Sequence, residues 1–418
     1  MVSRNHVRCR SCQGEFAIRI SVGGGLQRFV FPCPLCSAQL KGEFFAEQPT
    51  GPPLPESSGI PFALRSDDFE PLPYDATRDD SDMLAVAVDT EIPVHVSMFA
   101  TPIREVRGTP FIRFVDEAQH TDAFLRAMQA VSELRAIRFV LLPPMRRAAV
   151  FYGAGDMLRL ASELPNIPGY SGSDFAQAPP WEAISFLFRM CVGVIGAEPV
   201  CEPANQELAS ILQQAQARDL DAVGLTLNAY TASALSTARR SMVDTFLAVF
   251  NDGDALVPGL FVEAAPDLDI DAFRIQRSDF DAVKSRYQDI FELASRVLVL
   301  PAALANIAHR GDPRAYADGR RRSLRESLRA KASTRQAWLG ELPDTQQLYS
   351  DASRRTRNLI GHRLVNYDYE RSALIDDSGE PHNYLLFLVD YLKLVRTLGY
   401  VVDLVEMSTA FAEQQPTT

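Results

Sequence analysis

The sequence predicts an α+β protein that is mainly α-helical, on three observations. Two closely spaced cysteine pairs flank strand-like runs within residues 1–45. Apolar side chains recur at helical spacing along much of residues 83–270. Four apolar helical patterns with short links follow residue 271. Residues 46–82 are rich in Pro, which predicts a linker. We therefore expect a cysteine-rich ribbon, this linker, a mixed helix-rich middle domain and a C-terminal up-and-down bundle over 271–418.

Composition restricts the classes of function. The chain has 418 residues and a net charge of -11, so any contact with nucleic acid must come from a local basic patch. No basic segment followed by an apolar core, as in a signal peptide, occurs at the N-terminus. The longest apolar run, 291–307, contains Glu292, Ser295 and Arg296, which predicts a buried helix rather than a membrane span. We therefore expect a cytoplasmic protein without a membrane partner.

The individual elements follow from periodicity and turn residues. Runs 16–22 and 26–31 predict two strands that form one hairpin through Gly23, Gly24 and Gly25. In the middle domain we expect strands at 83–88 and 137–142, and helices at 123–134, 156–164, 181–194 and 205–217. In the C-terminal part we expect helices at 278–309, 320–335, 345–364 and 384–411, with a polar hairpin-like stretch at 366–382.

The two cysteine pairs form the most specific motif. Cys9-x-x-Cys12 and Cys33-x-x-Cys36 are separated by twenty residues. Two C-x-x-C turns supply the four thiolates that tetrahedral zinc needs, and four protein ligands indicate a structural ion rather than a catalytic one. Two disulfides or a redox dithiol would need an oxidising or thioredoxin-like setting, which the sequence does not support. His6 is surplus, and we expect it at the surface.

What such a ribbon binds stays open between nucleic acid, a protein partner and nothing. Five arginines tilt the expectation slightly towards nucleic acid: Arg4, Arg8, Arg10, Arg19 and Arg28.

A second motif lies in the third predicted C-terminal helix, where Arg357 is followed directly by Asn358 and, four residues later, by His362. It resembles the active-site signature of the HEPN family of helical-bundle ribonucleases. The resemblance covers about a third of the chain. It implies a metal-independent endoribonuclease with Arg357, Asn358 and His362 in the active site. It also implies a homodimer whose two motifs face a shared cleft, and a role in prokaryotic antiviral defence or as a toxin.

The chemistry of these side chains suits RNA cleavage without a metal. Histidine titrates near neutrality and can act as general acid or base. The forked guanidinium matches the charge that develops on the phosphoryl oxygens, and Asn358 could orient the phosphate or His362. Positions five apart on an ideal helix are about 140° apart around the axis, so either Arg357 bends round or Gly361 loosens the helix.

The surrounding segment is basic. Residues 311–363 carry twelve Lys or Arg against six Asp or Glu. Such a face can gather an RNA backbone. The residues that we expect to contact RNA are Arg321, Arg325, Arg354, Arg355 and Arg363.

The same residues are also compatible with functions that need no catalysis. Charged helix faces are often only solvated, and Arg357 and His362 can be ordinary helix residues. In a second class of function, the bundle is a dimerisation or docking module of a non-catalytic protein, with the ribbon as its recognition element. A third hypothesis is a regulator that binds nucleic acid through the ribbon. For the nuclease, the ribbon and middle domain would sense a trigger or recruit a regulatory protein.

Overall fold

The computed structural model describes residues 2–21, 25–46, 62–73, 80–118, 121–170, 178–277, 279–338, 356–360, 366–368, 371–376 and 378–414. Helices account for 62% of the structure, and the strands form small sheets. The predicted class, α+β and mainly α, is confirmed.

The chain forms two compact units that alternate along the sequence. The β-rich unit comprises Met1–Gln129, Asp254–Val283 and His362–Val389. The helical unit comprises Ala130–Gly253, Lys284–Gly361 and Asp390–Thr418. The sequence predicted four consecutive regions instead. The division differs because buried contacts between distant segments, not chain order, define a compact unit.

All described strands lie in the β-rich unit. They are β1 Val2–Cys9, β2 Glu15–Ser21, β3 Gly25–Pro32, β4 Gln39–Ala46, β5 Phe62–Arg65, β6 Phe69–Pro71, β7 Leu84–Val88, β8 Val94–His95, β9 Thr101–Pro102, β10 Phe273–Arg274, β11 Asn366–Asp368, β12 Ala373–Ile375 and β13 Pro381–Asn383. The sheet orders are β6-β1-β2-β7-β9, β3-β4-β5, β10-β8 and β11-β12-β13. Strands β5 and β6 lie within the range predicted as a linker.

The predicted hairpin between 16–22 and 26–31 is wrong in its pairing. Both strands exist, but β2 pairs antiparallel with β1 and parallel with β7, while β3 pairs antiparallel with β4. Each cysteine pair thus lies in the turn of its own hairpin. A C-x-x-C turn reverses the chain tightly, so the strands on its two sides are the natural partners.

Aromatic side chains fill the core of the β-rich unit. Phe31 lies at the centre, with ring centroids 5.9 Å from Phe29, 6.1 Å from Phe16 and 6.2 Å from Phe69. These residues come from β2, β3 and β6, and the same cluster includes Cys9 and Cys33. The cysteine turns therefore rest on the hydrophobic core.

The α-helices are α1 Pro110–Ala118, α2 Thr121–Ala136, α3 Leu142–Ala154, α4 Met157–Glu163, α5 Pro180–Gly193, α6 Glu198–Arg218, α7 Leu220–Tyr230, α8 Ser236–Asn251, α9 Val257–Glu263, α10 Phe280–Val297, α11 Val299–Arg310, α12 Leu324–Arg329, α13 Ala332–Ala337 and α14 Tyr384–Gln414. Capping side chains mark several starts: the Asp156 carboxylate accepts from the Arg159 N–H at α4, and Ser323 and Glu326 form a capping box at α12. In the helical unit α3 packs on α8, and α11 packs on α6 and α7.

The predicted elements of the middle region are confirmed with one exception. Strand β7 matches 83–88, and helices α2, α4, α5 and α6 match the four predicted helices. The strand predicted at 137–142 is wrong, because Ile137–Leu141 is a π-helical segment between α2 and α3. Helices on both sides continue through this run, which overrides its local preference for a strand.

The C-terminal elements also largely agree. The helix predicted at 278–309 is α10 and α11 with a break at Leu298, and the one at 320–335 is the pair α12 and α13. The hairpin-like stretch is the sheet of β11, β12 and β13, and the last helix is α14. Of the helix predicted at 345–364, residues 356–360 are helical, and the remainder lies outside the described residues.

One described helical segment, Phe280–Arg310, is long and apolar enough to cross a membrane, with a mean hydropathy of 1.6, and a bent pair, Leu220–Asn251 with Gly253–Glu263, also passes that test. In Phe280–Arg310, 89% of the most apolar window is buried inside the protein. That burial is what the sequence predicted for the apolar run 291–307.

Candidate functional site

The two cysteine turns have the same backbone geometry. In the first, the Cys9 N–H donates to Gly14 O at 2.9 Å and the Gln13 N–H donates to Cys9 O at 2.9 Å. In the second, the Cys33 N–H donates to Ala38 O at 2.8 Å and the Ser37 N–H donates to Cys33 O at 2.9 Å. Gln13 and Ser37 both have φ = 59°, in the left-handed region. Two equivalent turns therefore present two thiols each.

The four predicted ligands come together. The Cys9 and Cys36 Sγ atoms are 4.0 Å apart, as are those of Cys12 and Cys33, and all four lie within 4.8 Å of one another. Four sulfurs bound tetrahedrally at about 2.3 Å would be about 3.8 Å apart. The cluster could therefore hold one metal ion with only a small contraction.

Burial differs between the members of each pair. Cys9 and Cys33 are buried, whereas Cys12 and Cys36 are exposed. Burial raises the pKa of the Cys33 thiol to about 12. Burial also acts to raise the pKa of Cys9, but hydrogen bonds from the backbone N–H groups of Cys12 and Ser11 outweigh it, and that pKa is lowered. A bound cation would favour the thiolate form at all four positions.

His6 is not the surface residue that the sequence predicted. Its side chain is only 6% exposed, and Nε2 lies 2.8 Å from the Asp80 carboxylate. His6 lies within strand β1, where it pairs with Ala17 of β2.

Two residues of the second motif lie on a cleft in the helical unit. Arg357 and Asn358 belong to the helical residues 356–360, and Asn358 is exposed. The Arg357 guanidinium lies 5.7 Å above the Phe291 ring, and its Nη2 is 3.4 Å from Glu292 Oε1. His362, Arg354, Arg355 and Arg363 lie outside the described residues.

The cleft has a volume of about 660 Å³. Its walls come from α10, from the turn between α12 and α13, and from residues 356–360. The lining carries five cations and one carboxylate: Arg296, Arg329, Lys331, Arg335, Arg357 and Glu292. The cleft is therefore suited to an anionic ligand.

A chain of ion pairs holds Arg357. Arg335 is 4% exposed, and its guanidinium donates to the carbonyls of Leu328 and Ala330 and to Ser295 Oγ. Arg335 Nη2 also lies 3.0 Å from Glu292 Oε2, and the other oxygen of that carboxylate faces Arg357. The buried arginine thus fixes Glu292, and Glu292 fixes Arg357.

The structure separates the other predicted RNA contacts from this cleft. Arg321 Nη2 lies 2.5 Å from Asp312 Oδ2, a carboxylate that Arg314 also contacts. Arg325 is exposed on α12, and neither arginine lines the cleft. The sequence did not predict Glu292, Arg335 or three exposed cations of the cleft. Arg329, Lys331 and Arg335 lie in the basic segment that is visible in the sequence, but no local pattern joins Glu292 to Arg357 across 65 positions.

No protein-family model, no curated protein and no solved structure matches this chain.

Proposed function

We propose that the chain is a metal-independent endoribonuclease of the HEPN type, active as an effector of antiviral defence or as a toxin. The observation that carries the proposal is that Arg357 and Asn358 both line a cleft with five cations and one carboxylate. A cleft of this charge gathers a phosphodiester backbone at the guanidinium that the motif supplies. The reaction class, RNA cleavage without a metal, comes from the resemblance of Arg357, Asn358 and His362 to the HEPN signature.

In the proposed reaction each of the three motif side chains has a separate role. His362 takes the proton from the ribose 2′-hydroxyl or delivers one to the leaving oxygen. Arg357 stabilises the charge that develops on the phosphoryl oxygens, because its guanidinium is already held in place by Glu292. Asn358 orients the phosphate through its amide. Holding Arg357 before the substrate arrives reduces the reorganisation needed in the transition state.

The test is cleavage of several RNAs by the full chain in EDTA, with zinc content measured before and after. His362→Ala and Arg357→Ala should each lower the rate by about a hundredfold or more, the range for loss of a general acid–base group or an oxyanion donor. Arg321→Ala is the matched control, since it removes an exposed arginine outside the cleft. Equal rates for the wild type and both motif variants, or no cleavage by the folded chain on any RNA, would reject the nuclease.

We further propose that the metal of the cysteine cluster is structural zinc. Four thiolates in two equivalent turns form a closed tetrahedral set that leaves no position for substrate. Elemental analysis of the purified full chain should find a single zinc ion, and Cys9→Ser or Cys36→Ser should abolish it. Cys191→Ser, a cysteine outside the cluster, should retain the metal. Iron, or no metal in the wild type, would contradict the assignment.

The second candidate function is a non-catalytic binding and dimerisation protein that recognises nucleic acid or a protein through its ribbon. The ion pair between Arg357 and Glu292 favours it, because that contact alone gives Arg357 a structural role. Dimerisation through the helices should then survive His362→Ala, and sedimentation of the wild type and this variant measures it. A dimer that also cleaves RNA only when His362 is present would favour the nuclease instead.

A further inference from the structure

Three cations of the cleft differ from the other basic residues around them. Arg296, Arg329 and Lys331 are exposed and line the cleft. No carboxylate in the described part of the chain forms an ion pair with any of them. As far as the described residues are concerned, their charges are therefore available to a ligand.

Several neighbouring cations have carboxylate partners. Arg321 and Arg314 lie beside the Asp312 carboxylate, and Arg322 forms an ion pair with Asp318. Within the cleft, Arg335 and Arg357 share Glu292. Among the described residues, Arg296 of α10 and Arg329 and Lys331 of the basic segment thus line the cleft without a carboxylate partner.

We infer that this cleft holds the backbone of a single RNA strand through Arg296, Arg329 and Lys331. This inference rests on the proposed nuclease, because the same cleft presents Arg357 and Asn358. It replaces Arg321 and Arg325 as the expected RNA contacts.

The shape of the cleft selects a single strand. A concave site of about 660 Å³ has the size of pockets that enclose one small ligand. An extended strand can place a phosphate and its sugar inside such a site. A duplex is a wide convex cylinder, and proteins read it across its shallow groove and not by taking one nucleotide into a pocket.

The lining also predicts weak dependence on base sequence. Between the cations lie small side chains, Ala330, Ala332 and Ser333, and the Phe291 ring is 1% exposed. Many single-strand sites add affinity by stacking bases on exposed rings, and that stacking tolerates every base. The described part of the lining presents no such ring, so charge on the backbone should dominate the affinity.

The experiment measures binding of the full chain to a fluorescent 12-nucleotide 2′-O-methyl RNA by anisotropy, over a series of salt concentrations. This RNA lacks the free 2′-hydroxyl, so binding is read without cleavage. Each phosphate contact adds about 0.7 to the slope of log affinity against log salt, which is about fivefold in affinity at 0.1 M. Arg296→Gln, Arg329→Gln and Lys331→Gln should each show that loss.

In the triple variant the affinity should fall about a hundredfold, and the slope of log affinity against log salt should become shallower by about 2. Arg321→Gln, the matched exposed control, should bind within twofold of the wild type. Circular dichroism of each variant verifies the fold. A triple variant that binds as the wild type does, or an equal loss in Arg321→Gln, would overturn the inference.

Two further binding measurements test the preference for a single strand and the independence from base identity. Tighter binding of a 12-base-pair RNA duplex would reject the single strand, and a preference above tenfold between uridine and adenosine oligomers would reject backbone recognition. Binding that follows the three cations while ordinary RNA stays intact would retain this inference and reject only the nuclease. Cleavage that persists in the triple variant with unchanged binding would reject only this inference.

Discussion

Asp89 is a carboxyl group enclosed within the β-rich unit, with 5% of its surface exposed. It follows strand β7, and its Oδ1 accepts from the N–H groups of Glu91 and Ile92, both at 2.8 Å. Burial raises the pKa of Asp89 to about 6, although these backbone hydrogen bonds act to lower it. A neutral side chain of the same shape would keep both hydrogen bonds without the cost of a buried charge.

We expect Asp89→Asn to become more stable relative to the wild type as pH rises. The folded pKa lies above that of the unfolded chain, so ionisation destabilises the wild type progressively between about pH 4 and pH 6. The difference in free energy of unfolding should change by about 2–3 kcal/mol over that window. Urea unfolding at pH 4 and pH 7.5 measures it, with the exposed Asp116→Asn as control. A difference that does not vary with pH would contradict this account.

Residue identity predicted the cysteine cluster but not the residues that hold Arg357. Cys9, Cys12, Cys33 and Cys36 could be recognised because each pair is local, and a two-residue gap suffices to bring two thiols to one ion. Glu292 carries no such signal. Glu292 holds Arg357 through ion pairs with Arg335 and Arg357, which lie 43 and 65 positions away.

At the scale of elements, the cysteine turns depend on a backbone conformation that few residues adopt readily. Gln13 and Ser37 directly follow the second cysteine of each pair, and both have φ = 59°. The left-handed conformation costs an ordinary residue about 1–2 kcal/mol and a β-branched one more. Each turn thus carries a small backbone strain, and a residue that resists positive φ would increase it.

Changes at Ser37 should therefore alter metal affinity. Ser37→Val should weaken zinc binding by about tenfold, since about 1.4 kcal/mol of added strain corresponds to that factor. Ser37→Gly adopts positive φ without strain and should bind at least as tightly as the wild type. Competition with a chromogenic chelator measures both. Equal affinities for the Val and Gly variants would show that this conformation does not limit the site.

The elements themselves were more predictable than their partners. Helices α4, α5 and α6 and strand β7 follow from apolar spacing, which acts within a few positions. The pairing of β2 with β1 and β7 could not be read this way, because a strand of the same sequence can pair at several edges. Residues 137–141 show the opposite failure, since their neighbours extend a helix through a strand-like run.

At the scale of the whole molecule, the cysteine cluster belongs to one unit and the basic cleft to the other. Cys9 and Cys33 form part of the core of the β-rich unit, together with Phe31 and Phe69. The helical unit has its own core, in which the Phe188 and Phe246 rings lie 4.4 Å apart. Loss of the metal should therefore act first on the β-rich unit.

Removal of the metal from the full chain should lower hydrogen-exchange protection selectively. We expect faster exchange in β1, β2, β3 and β4, because the metal links their turns, and little change in α6 and α11. Exchange mass spectrometry of the chelator-treated protein measures this, and Cys9→Ser should reproduce the same pattern. Uniform loss of protection in both units would contradict a local effect of the metal.

By itself the sequence determined the predominantly helical class, most helix positions, the four clustered cysteines and the location of Arg357 and Asn358 in a basic segment. These properties depend on side-chain periodicity, turn residues and spacings of a few positions, which act before the chain folds. Only the tertiary structure decided the pairing of β2 and β3, the interleaved units, and the cleft in which Arg335 and Glu292 hold Arg357. Those features arise from burial and ion pairing between segments far apart in the chain, and no local pattern encodes such contacts.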